Sequence, residues 1–206
     1  MKKTIALFLS LSLLLSLLLC GCTAPSPLER GRWDGQVYYN AYGDFNLRSN
    51  ELFERYTDKQ IKKDLGYVYS KNGQVLNDAV LSSDYCAICI TLEIPGEEHS
   101  LKEYVNAYIQ NTTTSNPKGS FTISDTYYQD IAGSVYTAVP VLYYTQSQNN
   151  LVGYCEYAFI KKAENNVFVV IRITSTTQLN VEIALKMFED PSPAPEKQPS
   201  ETTENK

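Results

Sequence analysis

Histidine occurs once in this 206-residue chain and tryptophan once. With His99 alone, a zinc site built from several imidazoles is excluded in a monomer. His99 is also the sole histidine base for a serine-type triad. It stands between Glu98 and Ser100, just after Pro95-Gly96, where a surface loop residue is expected. A phosphate loop and a dinucleotide fingerprint are both missing. Asp125 and Asp130 lack the alternating oxygen ligands and central glycine of a calcium loop. The carboxylates, Glu51, Asp84, Glu93 and Glu103 among them, are scattered, and no spacing selects the pair a glycosidase needs. These absences predict a protein that is not an enzyme, with no metal and no cofactor.

Basic residues are also few, 18 against 23 acidic, for a net charge of −5. Nucleic-acid binding is driven by Lys and Arg neutralising phosphates, so nucleic acid is not an expected partner. Long hydrophobic runs are absent except at the N-terminus. There Lys2 and Lys3 precede Ile5 to Cys20, sixteen residues without a charge. That is short of the roughly 20 a transmembrane helix needs. A positive start, an apolar run and small residues together predict a secretory signal peptide.

The end of that run, Leu19-Cys20-Gly21-Cys22, resembles the bacterial lipoprotein signal known as the lipobox. Leu19 stands three positions before the cysteine and Gly21 directly before it. Cys20 is a less usual middle residue. The resemblance implies cleavage after Gly21 and a diacylglycerol thioether on Cys22. The membrane lipid is then a partner through Cys22, and the chain lies on the outer, extracytoplasmic face of the cell membrane. Each buried lipid CH₂ contributes about 0.8 kcal/mol, and two chains hold far better than one. Removing Lys2 and Lys3 leaves 16 basic and 23 acidic side chains, a formal charge of −7.

The predicted organisation is a signal peptide over 1–21, a lipidated tether over 22–30, one domain over 31–189 and a tail over 190–206. The tail reads DPSPAPEKQPSETTENK, with four prolines and no large apolar side chain. Such a segment buries too little surface to offset the entropy of ordering.

Within the domain, Tyr85 to Ile94 alternates over ten residues, with Cys86, Ile88, Ile90, Leu92 and Ile94 on one face. It reads as a strand with one face in the core. Ser100 and Glu103 form a capping box for a helix carrying Leu101, Tyr104, Val105, Tyr108 and Ile109 on one stripe. Thr57 and Gln60 cap a shorter helix ending near Leu65. Asn111 to Gly119 reads as a polar break. Further strands are expected at Gln36 to Asn40, Phe45 to Leu47, Tyr67 to Ser70, Phe121 to Ser124, Ser134 to Tyr144, Leu151 to Lys161 and Val167 to Thr174. Asn72-Gly73, Ala132-Gly133, Gln148 to Asn150 and Glu164 to Asn166 mark turns. Pro140 argues for an edge or a bulge. A last helix from Thr177 to Phe188 is expected to bury Leu179, Ile183 and Met187. The order predicts an α+β fold, an antiparallel sheet packed against helices.

This succession, from Gly31-Arg32-Trp33-Asp34-Gly35-Gln36-Val37-Tyr38-Tyr39-Asn40 through Thr57-Asp58 to Ile131-Ala132-Gly133, resembles a group of lipoproteins from Gram-positive gut and anaerobic bacteria. That group looks PsbP-like, a fold named after a photosystem II extrinsic protein. The resemblance implies architecture and an extracytoplasmic setting, and it brings no catalytic set. Where the group carries a Pro-x-Gly-Trp-like turn, this chain has Asn50-Glu51-Leu52-Phe53, with Phe53 at the Trp position.

Cys86-x-x-Cys89 lies inside the best strand, so its two side chains point to opposite faces. Redox pairs of this spacing sit at helix N-termini instead. A Cys86–Cys155 bridge stays open at this level. The unusual feature is 16 tyrosines against seven phenylalanines. Tyrosine joins an apolar plate to a polar tip and is enriched at interfaces. A group formed by Tyr38, Tyr128 and Tyr144 is therefore a candidate binding surface for a glycan or an envelope protein. The alternative is that these rings fill a core short of phenylalanine. The functional expectation is a non-enzymatic binding or envelope-assembly module. A small solute- or glycan-binding lipoprotein is the alternative, and a hydrolase the more remote one.

Overall fold

Cys86, Ile88, Ile90 and Leu92 turn to one side of a ten-residue strand, and all four are buried. Burying a large aliphatic side chain contributes about 1.5–3 kcal/mol, so this one strand anchors a core. The computed structural model describes residues 28–40, 42–65, 67–70, 73–116, 120–144 and 152–191. The signal segment, Cys22, the Gln148 to Asn150 turn and the chain from 192 onward lie outside the described residues.

In chain order the elements are β1 (Arg32–Asp34), β2 (Val37–Tyr39), β3 (Asn46–Arg48), β4 (Glu54–Arg55), α1 (Asp58–Asp64), β5 (Tyr67–Ser70), β6 (Gly73–Ser82), β7 (Cys86–Pro95), α2 (Leu101–Ser115), β8 (Phe121–Ile123), β9 (Tyr127–Ile131), β10 (Ser134–Tyr144), β11 (Val152–Lys162), a 3₁₀ turn (Glu164–Asn166), β12 (Phe168–Ser175), α3 (Gln178–Leu185) and β13 (Phe188–Glu189). The main sheet has nine antiparallel strands in the order β4-β6-β7-β12-β11-β10-β8, with β5 beside β6 and β9 beside β10. A smaller sheet has the order β1-β2-β3-β13. The fold is α+β, an antiparallel sheet packed against helices.

Three layers result. The small sheet and α3 cover the inner face of the main sheet, where Tyr38, Phe45, Leu47, Val181 and Phe188 meet Ile88, Ile171 and Phe159. Helix α2 covers part of the outer face, where Tyr104 and Val105 meet Val139, Ile160, Phe168 and Val170.

One buried cluster joins the small sheet to the large one. Strand β6 has a register shift between Asn77 and Ala79, a bulge that leaves Asp78 unpaired in the ladder. Asp78 is buried. Its carboxylate accepts from the Tyr38 hydroxyl and from the Gly31 backbone N–H at 3.0 and 3.1 Å. Asn40 donates to the same Tyr38 oxygen at 3.0 Å. A side chain at Gly31 would overlap the Tyr38 ring, so only glycine allows this approach. Burial pushes the Asp78 carboxyl above its ordinary value, while the Tyr38 and Gly31 bonds pull it back down.

Both predicted capping boxes form, Thr57 with Gln60 and Ser100 with Glu103. Several expectations need correction. Helix α2 does not stop at Asn111 but runs to Ser115. Thr113 and Thr114 donate to carbonyls four residues back, at 2.8 and 3.1 Å, which satisfies polar side chains within a helix. In α3, Leu179 and Ile183 are 64% and 48% exposed, and Val181 and Ala184 are buried instead. The helix ends at Leu185, so Met187 and Phe188 leave the helical spacing that the predicted stripe assumed. Pro140 lies within β10, where its carbonyl accepts from Ser124 at 3.0 Å. Its N-side falls where the pairing with β9 has ended and that with β8 begins, a local edge. At the Asn50 to Phe53 turn, Phe53 N donates to Asn50 O at 3.1 Å and its ring packs against the core.

Cys86 and Cys155 both stand opposite Ser175, from either side of β12. Two strand spacings, roughly 9.5 Å, exceed the roughly 7 Å limit for a disulfide. Both thiols are free and buried, and burial pushes the Cys86 thiol up to about 11.

Among the described residues, the Tyr136 hydroxyl is buried without a hydrogen-bond partner. It is thus a control for Tyr38, the same residue type at equal burial. Tyr38→Phe is expected to lower the unfolding free energy by about 1–3 kcal/mol, since a buried carboxylate loses its donor. Tyr136→Phe is expected to leave stability unchanged or raise it. Urea unfolding of both variants checks this, and equal losses would refute the role given to the Asp78–Tyr38 bond.

Candidate functional site

Helix α2 lies along only part of the outer face, and the groove beside it is lined by polar side chains. Tyr104 stacks on Phe168, ring centroids 4.0 Å apart, and this fixes the helix on β12. The Tyr104 hydroxyl donates to Glu93 at 2.5 Å. One turn later the Tyr108 hydroxyl donates to Glu156 at 3.3 Å. Burial pushes both phenols up, and the neighbouring Glu93 and Glu156 push them further, so both stay protonated donors.

Arg172 stands on β12 between Cys89 of β7 and Ala158 of β11. One guanidinium nitrogen reaches Thr91 Oγ1 at 3.3 Å and Cys89 Sγ at 3.7 Å. Thr91 in turn donates to Asn77 at 3.2 Å. Burial opposes the charge of Arg172, but Cys89, Tyr108 and Glu156 more than offset it and hold its pKa above the ordinary value. Among the described residues no carboxylate lies within ion-pair distance of this guanidinium. Tyr143 lines the far wall and stacks on Tyr154 at 4.5 Å. The groove has a volume of about 440 Å³ and is lined by Glu93, Tyr104, Tyr108, Tyr143, Glu156 and Arg172, with amides from α2.

No protein-family model matches the chain, and no curated protein matches it. Among solved structures it is similar to the solution structure of cyanobacterial PsbP (CyanoP) from Synechocystis sp. PCC 6803. The two share 9% sequence identity with a TM-score of 0.48, over 84% of this chain and 99% of that one. A likeness of that degree says nothing about the groove.

The three tyrosines expected to form a binding surface do not come together. Tyr38 is 0% exposed, inside the inner core, so it is removed from any surface. Tyr128 is 79% exposed on the edge strand β9, opposite Thr137. Tyr144 lies seven residues further along β10, roughly 23 Å away, and its hydroxyl donates to Thr122 at 3.0 Å. Cys22 lies outside the described residues. His99 contributes its backbone, which donates to Asn166 at 3.4 Å and accepts from Lys162 at 2.6 Å. No serine or cysteine lines the small groove of about 240 Å³ beside His99. A nucleophile–histidine pair is therefore not assembled there.

Glu93 stands opposite Phe168 and Glu156 opposite Thr174, six positions apart along β12. Their backbones are roughly 20 Å apart along the sheet, and each carboxylate accepts from its own phenol, Tyr104 or Tyr108. Among the described residues no group of three or more His, Cys, Asp or Glu is arranged to hold a metal ion. The arrangement is suited to holding a ligand by charge and ring contact.

Sequence reasoning missed Arg172, Glu156 and Tyr108. One signal was available: Arg172 is the lone charge in the run Phe168-Val169-Val170-Ile171-Arg172-Ile173. A charge in a strand otherwise buried on both faces marks where covering stops.

Burial pushes the Glu93 carboxyl above its ordinary value, against the pull of Tyr104 and Arg172. A raised folded value means that protonated Glu93 favours folding. That contribution is full below its ordinary range and is lost as pH rises through the raised value. Glu93→Gln is therefore expected to gain stability relative to the wild type at pH 8 and to show little difference at pH 4. Denaturant unfolding at both pH values tests the sign, and a variant less stable at pH 8 would contradict it.

Proposed function

We propose that this chain is a lipid-anchored, extracytoplasmic binding module of a bacterial envelope, without catalytic activity of its own. Arg172 carries the binding part of this reading. A partly buried cation keeps most of its donors free at the rim of a groove, while the nearby Glu93 and Glu156 are held by phenols. Glu93 and Glu156 each accept from a different tyrosine of α2, an arrangement that orders a groove and does not pair two carboxylates across a reacting bond. A binding groove needs a few convergent polar groups beside apolar surface, which Arg172, Tyr143 and Tyr108 supply.

The anchoring part rests on Leu19-Cys20-Gly21-Cys22 and the apolar run before it. A diacylglycerol thioether on Cys22 would hold the domain at the membrane by a short tether, and the acidic balance of the chain fits no second, polybasic anchor. Among the described residues no helix is long and apolar enough to cross a membrane. Membership of the PsbP-like lipoprotein group of Gram-positive bacteria is part of the same proposal.

Labelling cells with a palmitate analogue tests the anchor. The wild type is expected to incorporate label and to sediment with membranes, and Cys22→Ala to lose both. A Cys22→Ala variant that keeps label and membrane retention would refute it.

A further inference from the structure

We propose that the Arg172 groove binds a small zwitterion, an amino acid or amino-acid-like solute that presents a carboxylate to Arg172 and an ammonium to Glu156. This rests on the reading of the groove as a binding site and names its ligand class.

Two opposite charges face the groove without meeting. Arg172 lies close enough to Glu156 to be influenced by it, yet the two form no ion pair. A guanidinium has five donors in a planar fork, and one nitrogen alone is engaged, with Thr91 and Cys89. The free side of such a fork matches a carboxylate in two parallel bonds. Glu156 accepts from Tyr108 through Oε1 at 3.3 Å. A carboxylate has about four lone-pair sites, so it retains acceptors for an ammonium.

Charge balance selects among ligands. A bare phosphate or sulfate would meet Arg172 but also stand against Glu156, and Glu93 lines the same groove. A bare cation would face Arg172. A neutral glycan would cover both charges without pairing either, and burying unpaired charge is costly. A ligand with both charges on one short frame satisfies both groups. The stacked Tyr143–Tyr154 pair then offers an apolar wall to its side group. A volume of about 440 Å³ lies toward the small end of the roughly 300–1,000 Å³ of small-molecule sites.

The experiment is titration calorimetry of the purified full-length lipoprotein in detergent, with each of the twenty amino acids as probe. The N-acetyl and carboxamide derivatives of the best binder follow. Saturable binding to an amino acid with an apolar or aromatic side chain is expected. Blocking either end should weaken it at least about tenfold, the loss of one buried charge contact. In Arg172→Gln the acid and the carboxamide should bind alike, and in Glu156→Gln the amine and its N-acetyl form should bind alike. Failure of all twenty to bind, or equal binding of the blocked forms to the wild type, overturns the proposal, and this wild-type comparison decides even where a variant fails to fold. A parallel arm uses purified cell-wall fragments. Binding there without amino-acid binding defeats the zwitterion and leaves the binding-module reading standing; binding in neither arm defeats both.

Discussion

The buried carboxylate of Asp78 holds the molecule in its layered form. It takes the Tyr38 hydroxyl and the Gly31 amide, and so joins a short sheet of two- and three-residue strands to a ten-residue strand of the main sheet. Three-residue strands gain little from their own ladder and depend on packing for stability. The bond supplies a fixed point around which Phe45, Leu47 and Phe188 close over the inner face. The same contact explains the bulge in β6, because a regular strand would leave Asp78 in the ladder, and it explains Gly31, whose neighbour is the Tyr38 ring itself. At the far side of the small sheet, Arg48 grips Glu189 through two bonds of 2.6 and 3.0 Å, bringing the end of the domain back to its beginning.

Closure of the inner face leaves the middle of the outer face to α2, with the end of α1 reaching only the side chain of Asn77 on β6. A helix of 15 residues is about 22 Å long, and it covers a sheet wider than itself only in part. Apolar residues occupy the covered region, where Tyr104 meets Phe168 and Val105 lies among Val139, Ile160 and Val170. Polar residues take over beyond it, and Tyr104 and Tyr108 mark the boundary, each with a ring against the sheet and a hydroxyl on a carboxylate. The groove is thus a product of the mismatch between one helix and the sheet it covers.

How much of this was legible follows from how local each signal is. A capping box involves four residues, so Thr57–Gln60 and Ser100–Glu103 could be read directly. The alternation of Cys86 to Ile94 was legible for the same reason, as was the Glu164 to Asn166 turn, where Asn165 and Asn166 adopt positive φ. Strand β6 was hidden because its bulge at Asn77-Asp78 breaks the period of two. The hairpin between β1 and β2, with Gly35 at φ +56, was hidden by the shortness of its strands. Tyr38 was misjudged because its burial depends on Asp78, forty residues away. In α3 the core takes Val181 and Ala184 in place of Leu179 and Ile183, while Met187 is buried as expected, two residues beyond the helix end. Arg172 and its neighbours come from three strands and one helix, and no local pattern brings them together.

Arg172 is held charged by its surroundings and left with most of its donors unused. Arg172 lies between Cys89 of β7 and Ala158 of β11, in a run of β12 that is otherwise apolar, and burial works against its charge. Cys89, Tyr108 and Glu156 more than offset that burial, yet among the described residues no carboxylate closes an ion pair with the guanidinium. Thr91 and Cys89 reach one nitrogen of the fork, and Asn77 stands behind them, accepting from Thr91. A lone charge in such a run departs from the local pattern, and such departures are where function is to be expected. Here the departure points outward into a groove, toward a second charge of opposite sign that the fold holds near and does not pair.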